Sequence, residues 1–207
     1  MKNALTDDQI LKHNKLHKQA SDLLRGEILV DGKMPSSATP NIFARRRLHK
    51  AIALFGEVLK INPQNWAAMF GMAKALQRLG ETTRAFDLMI MAHSVNSTDS
   101  ESIREAGIMA FQLGRFSEGI ALTEEAIRLR PEDWTLYSNL GLGLLYVGDA
   151  GKAMEAFRQS NKIKPSDSTT TRLIAVAEAV QTGVIPCPHS EKEALQAVKE
   201  IMKTEHR

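Results

Sequence analysis

Four short stretches hold residue types that could do chemistry. His13 and His17 are four apart, the spacing at which two imidazoles on one helix face can share a metal ion. Cys187 and His189 stand together in a proline-containing segment. A cysteine becomes a nucleophile when a base is oriented on it and an oxyanion site lies opposite. GLGLLYVGD, Gly141 to Asp149, sets glycines among apolar residues in the manner of a loop that cradles phosphate. ARRRLHK, residues 44–50, gathers Arg45, Arg46, Arg47 and Lys50, a set that could contact phosphate or an acidic protein.

Each of these chemistries needs more than the residues supply. No further ligand is spaced to complete a metal site with His13 and His17, and Lys12, Lys15 and Lys18 beside them repel a cation. They are read as an exposed polar helix face, and no metal is expected. Nothing in the spacing gives Cys187 a base or an oxyanion site, so it is read as an incidental loop thiol. In the glycine stretch, the place of the third glycine of GxGxxG is taken by Tyr146, and the Lys-Ser/Thr ending of a P-loop is missing. No cofactor is expected. The sequence also lacks a Ser/His/Asp set, a paired-carboxylate pattern and HExxH, so the expectation is a protein that is not an enzyme. In the basic stretch no aromatics interleave to stack bases. Nucleic acid therefore ranks below an acidic protein partner there, and residues 48, 52 and 55 are expected to turn inward.

Composition sets the frame for these sites. With 43% apolar and 25% charged residues in 207, the chain has enough core for an ordinary globular domain or a repeat array. Ala, Leu, Lys, Glu, Arg and Met dominate and favour helix. The polar N-terminus has no signal-peptide h-region, and no run of eighteen apolar residues occurs, so no membrane contact is expected. A single cysteine excludes an internal disulfide and suits a reducing compartment, hence a cytoplasmic expectation. Positive charge is concentrated at the start: residues 1–60 carry 11 Lys+Arg against 6 Asp+Glu.

A period of 34 residues gives the glycines another job. Gly80, Gly114 and Gly148 keep that step, as do Asn65, Asp99, Asp133 and Asp167. So do the small residues Ala73, Gly107, Gly141 and Ala175, and a second small set, Ala85, Gly119 and Ala153. Pro131 and Pro165 lie one step apart. Asn and Asp cap helix N-termini by accepting from the first free N–H groups. Helices are therefore expected to start near 66, 100, 134 and 168. Glycine suits the turn past a helix end, where φ is positive, so the first helix of each unit should stop near 79, 113 and 147. The paired small residues allow two helices to approach closely. Met69, Met72, Met89 and Met91 should mostly be core.

This pattern resembles the tetratricopeptide repeat family, whose unit is a 34-residue helix–turn–helix. The best match is WTLYSNLGLGLLYVGDAGKAMEAFRQSNKIKP, Trp134 to Pro165, and the resemblance covers about 51–181. It implies an all-α fold: a right-handed superhelical array of antiparallel helix pairs, with irregular helix pairs at both ends. Residues 1–63 would form an N-terminal helix pair with a long loop, its second helix at 42–61 being repeat-like. Three units, 66–99, 100–133 and 134–167, and the first helix of a fourth would fill 66–181. Residues 182–207 would be a proline-containing loop and a capping helix. Thr6-x-x-Gln9 and Ser190-x-x-Glu193 read as capping boxes for helices at about 7–30 and 191–204, with a loop at 31–41. Leu16, Ala20, Leu23, Leu24 and Ile28 should form the apolar side of the first, and Leu195, Val198 and Met202 that of the last.

The resemblance also implies a function: non-catalytic protein–protein recognition, with a peptide or protein segment held in a concave groove and the chain acting as a scaffold or adaptor. The family's groove positions fall on Phe70 and Lys74 of the first unit and on Arg104, Glu105, Ile108 and Phe111 of the second. They continue with Ser138, Asn139, Leu142 and Leu145 of the third and Arg172, Leu173 and Val176 of the fourth. A subfamily that grips the C-terminal carboxylate of heat-shock chaperones is matched only at Asn139. Arg104, Ile108, Thr169 and Leu173 replace its other clamp residues, so tight binding to such tails is not expected. Bacterial secretion chaperones of this family, which hold an export substrate, are the alternative of similar architecture, although their acidic balance is missing. Binding of nucleic acid or an acidic partner through Arg45, Arg46, Arg47 and Lys50 is the alternative of another class. Terminal helices could also exchange between copies and give a homo-oligomer.

Overall fold

The structure, a computed structural model, describes residues 5–28, 39–165 and 167–205, with no side chains described at 191 and 202–205. Most of the loop expected at 31–41, and the Met202 side chain, therefore lie outside the described residues. Among the described residues the chain forms ten helices and no strand. They are α1 (Asp7–Leu24), α2 (Ile42–Ile61), α3 (Trp66–Leu79), α4 (Thr82–Val95) and α5 (Ser100–Gln112), followed by α6 (Phe116–Leu129), α7 (Trp134–Tyr146), α8 (Ala150–Ile163), α9 (Ser168–Gln181) and α10 (Glu191–Glu205).

The periodic residues do the local work assigned to them. Asn65, Asp99, Asp133 and Asp167 accept from the backbone N–H groups of Ala68, Ser102, Thr135 and Thr170 at 2.8–3.0 Å. Each such cap is worth about 1 kcal/mol. Gly80, Gly114 and Gly148 take φ of 86, 73 and 84°, the left-handed turn that ends a helix. The first helix departs from expectation. Its capping box at Thr6 and Gln9 forms, but α1 stops at Leu24 instead of running to 30. Gly26 takes φ 80° and turns the chain, and Glu27 N–H closes on Leu24 O at 2.9 Å.

The chain divides into two compact units, residues 1–102 and 103–207, with the division falling inside α5. In the first unit α2 packs on both α1 and α3, around Leu24, Leu48, Ala51, Phe55, Val58 and Ala75. Phe55 and Leu48 are almost fully buried, each stabilising by about 1.5–3 kcal/mol. Met69 and Met89 join the buried residues, whereas Met91 is half exposed. Glu27 is buried and pairs with Arg47, while Arg78 Nε donates to Glu27 O at 2.9 Å. In the second unit Leu145, Met154, Phe157, Leu173, Val176 and Ala197 form the main core, and α10 packs on α9. A smaller cluster joins Ile103, Ala126 and Leu136.

Candidate partner-binding site

The site lies within the second unit and starts from its glycines. Gly141 lets α7 meet the Phe157 ring, where an added Cβ would stand 2.5 Å from Cδ1. Phe111 of α5 is held in the same way on two sides. A Cβ at Gly119 would come within 2.5 Å of its ring, and one at Gly143 would overlap it. Gly143, which lies outside the periodic set, thus makes room for an aromatic ring from a neighbouring helix.

Phe111 is only half buried, and its free side faces a cleft of about 470 Å³. Ile108 and Phe111 of α5, Phe116 at the start of α6, and Leu142 and Tyr146 of α7 supply its apolar lining. The Phe116 and Tyr146 rings meet at 5.5 Å between centroids. Asn139 and Gln112 add amides, and the Asn139 side chain has no hydrogen-bond partner among the described residues. The remaining wall comes from His189, Ser190 and Lys192 of the C-terminal loop and the start of α10.

That wall is fastened to the C-terminal end of α7, whose last carbonyls have no partner within the helix. Cys187 Sγ–H donates to Leu145 O at 2.8 Å, and His189 Nδ1–H donates to Tyr146 O at 3.2 Å. Cys187 is therefore a fastening, not an incidental thiol. Burial pushes its pKa above the ordinary thiol value, against the backbone N–H of Gly148, which pulls it down. The expected capping box of α10 forms in altered shape. Ser190 Oγ accepts from Glu193 N–H at 3.3 Å, but Glu193 Oε2 accepts from His189 N–H at 2.8 Å rather than from Ser190. The His189 hydrogen bond holds the Glu193 carboxyl below the usual carboxylate range.

The groove positions read from the sequence separate here. Ile108, Phe111, Asn139 and Leu142 come together in the cleft. Leu145, Leu173 and Val176 do not: they are at most 5% exposed and belong to the core, because their helix face turns toward α8 and α10. Ser138 is engaged with Thr170, at 3.3 Å between hydroxyls. Glu105 is buried and pairs with Arg104 at 3.3 Å, and Arg172 is exposed. Phe70 and Lys74 belong to the first unit, Phe70 partly exposed and Lys74 buried. Of the basic set, Arg45, Arg46 and Lys50 are exposed, while Arg47 is tied to Glu27. His189, Ser190 and Lys192 were not legible as site residues. Their capping box fixes where α10 starts, but only the bonds to Leu145 O and Tyr146 O bring that start to α7.

His13 and His17 contact neighbouring helices in the first unit. His13 Nε2 accepts from Asn65 Nδ2 at 2.7 Å, and His13 Nδ1–H donates to Asn14 Oδ1 at 2.9 Å, so both ring nitrogens are used. His17 lies edge-on to Phe55 at 5.6 Å. Among the described residues, no three His, Cys, Asp or Glu side chains are grouped to hold a metal ion, and no helix is long and apolar enough to cross a membrane.

Consecutive helix pairs, with Asx-capped starts, glycine ends and a cleft between first helices, define an α-helical repeat protein. The chain belongs to the tetratricopeptide repeat family: residues 43–92 and 104–168 match two of its repeat models, together more than half of the sequence. Its fold is similar to the crystal structure of the MamA protein, with TM-score 0.70 and 19% identity over 94% of this chain and 92% of that one. It is also similar to YrrB, described as a TPR protein with an unusual peptide-binding site, with TM-score 0.62 and 16% identity over 77% and 80% of the two chains. In sequence it is 24% identical over 134 residues to the transcription factor tau 131 kDa subunit of Saccharomyces cerevisiae, covering 65% of this chain and 13% of that subunit. It spans less than a quarter of the length of the curated relatives it matches. At these identities the structural likeness carries the fold alone.

Proposed function

We propose that the chain is a non-catalytic recognition module that seats a protein segment in the cleft between α5, α7 and the C-terminal loop. The supporting observation is the cleft itself: about 470 Å³ of concave, mostly apolar surface with an unengaged amide, Asn139, beside Leu142. Such a site suits an apolar side chain as anchor and a backbone group on the amide. Selection of binders from a displayed library of random twelve-residue peptides tests the reading. The best binder, synthesised with both ends blocked, should bind Asn139→Ala and Ile108→Glu at least about tenfold more weakly than the native protein. Unchanged affinity in both variants, with the helical fold intact by circular dichroism, would place recognition on another surface.

A second reading rests on α2. Arg45, Arg46 and Lys50 are exposed and have no ion-pair partner among the described residues, and Ile42 and Phe43 stand exposed beside them. That combination suits contact with an acidic protein surface, an interaction that weakens as salt rises.

A further inference from the structure

Charge in the cleft lining is of one sign among the described residues. None of the described lining residues is an Asp or Glu. Its only fixed positive charge is Lys192, which is exposed and has no ion-pair partner among the described residues. Lys192 stands in the first turn of α10, where the helix dipole is positive. The acid nearest in sequence with a described side chain, Glu193, lies outside the lining and accepts from His189 N–H. The apolar lining lies on the opposite side, on α5 and α7.

Building on the cleft reading, we propose that the occupant is a segment of a partner protein that carries a large apolar residue and, one or two positions away, an Asp or Glu. The apolar side chain sits between Ile108, Phe111 and Leu142. The backbone beside it bonds to the Asn139 amide, and the carboxylate pairs with Lys192. The geometry favours a side-chain carboxylate over a chain end. A terminal carboxylate is held by converging charged donors, whereas the described lining offers a single lysine, Lys192, with apolar side chains from α5 and α7. The apolar anchor supplies most of the affinity, and the ion pair selects among apolar segments.

The test is the same display selection, run in parallel on the native protein and on Lys192→Glu. Binders of the native protein should be enriched in Asp or Glu next to a large apolar residue, and binders of Lys192→Glu in Lys or Arg at that place. An end-blocked acidic binder should lose about tenfold in affinity for Lys192→Glu, and replacing its acid by lysine should restore binding to that variant. Binders that lose affinity with Ile108→Glu but show no acidic enrichment and no response to Lys192→Glu would overturn this proposal while leaving the cleft reading standing. Binders indifferent to Ile108→Glu, Asn139→Ala and Lys192→Glu alike would overturn both.

Discussion

Phe111 rests on Gly143: a methyl group added to the glycine would overlap the phenylalanine ring, and the nearby Ile120 Cγ1 would stand 3.1 Å away. The ring is lodged between two helices on one side and open to the cleft on the other. A single contact thus sets both the packing of the second unit and the shape of its candidate site. It also means that Phe111→Ala would mix loss of packing with loss of a partner contact, whereas Asn139→Ala removes a side chain with no hydrogen-bond partner among the described residues.

The first prediction follows from that contact. Gly143→Ala should destabilise the protein, although alanine is the better helix former by about 1 kcal/mol. Overpacking against an aromatic ring costs about 1–3 kcal/mol and exceeds the gain. Gly56 lies within α2 with nothing inside 4 Å of an added Cβ, so Gly56→Ala should stabilise by about 0.5–1 kcal/mol. Urea denaturation of the two variants should give shifts of opposite sign. A stabilised Gly143→Ala would show that the ring moves aside freely.

Asn65 does two jobs, and its variants should separate them. Its Oδ1 caps α3 through Ala68 N–H at 2.8 Å, and its Nδ2 donates to His13 Nε2 of α1 at 2.7 Å. Asn65→Asp keeps the cap and loses the donor, while Asn65→Ala loses both. The cap is worth about 1 kcal/mol and the link about 0.5–1.5 kcal/mol. Asn65→Ala should therefore be the less stable of the two, by an amount close to that of Asn41→Ala, whose side chain makes only the cap bond to Ala44 N–H among the described residues. Equal urea midpoints for Asn65→Asp and Asn65→Ala would contradict the division of labour.

His17 gives the first unit a pH dependence. Burial against Phe55 and its surroundings lowers its pKa from the ordinary 6.5, and the neighbouring His13 lowers it further. Its Nε2 is buried without a hydrogen-bond partner among the described residues, so folding favours the neutral ring. Lys18, Asp22 and Arg25 share its cleft, and the acid does not reverse the shift. The unfolded chain binds a proton that the folded chain resists, so stability must rise with pH across this window. The contribution is complete above about 6.5 and is lost as pH falls from there toward the lowered folded value. His17→Leu should flatten that part of the profile of urea midpoint against pH. An unchanged slope below pH 6.5 would assign the dependence to other groups.

How far the sequence carries can be judged from particular residues. The helix starts at 66, 100, 134 and 168 were legible because Asn and Asp act locally, through bonds two or three residues away. The helix ends were legible because a left-handed turn favours glycine. Gly26 has the same conformation, but it stands alone outside the period, and the apolar run to Ile28 masked it. The cleft was half legible. Ile108, Phe111, Asn139 and Leu142 follow from register, and register also carried Leu145, Leu173 and Val176, which the covering helices bury. Family spacing places residues on a first helix without saying how much of its face an irregular last helix covers. The wall of His189, Ser190 and Lys192 depends on bonds that span more than forty residues, and no periodicity records those.

The fastening of that wall yields the last prediction. Leu145 O accepts from Gly148 N–H at 3.0 Å as well as from Cys187 Sγ, so losing the thiol does not orphan the carbonyl. Cys187→Val should therefore shift global stability by about 1 kcal/mol or less. Its effect should be local: amide exchange over residues 183–190 should quicken, because the segment opens separately from the core. Cys187→Ser, which keeps a donor, should leave that exchange near the native rate. In the native protein the raised thiol pKa keeps the thiolate scarce at neutral pH, so a disulfide reagent should modify Cys187 more slowly than it does a free cysteine peptide. Reaction at the peptide's rate, together with native exchange in Cys187→Val, would mean that the loop is held by Pro188 and α10 packing and that the thiol bond contributes nothing to the cleft wall.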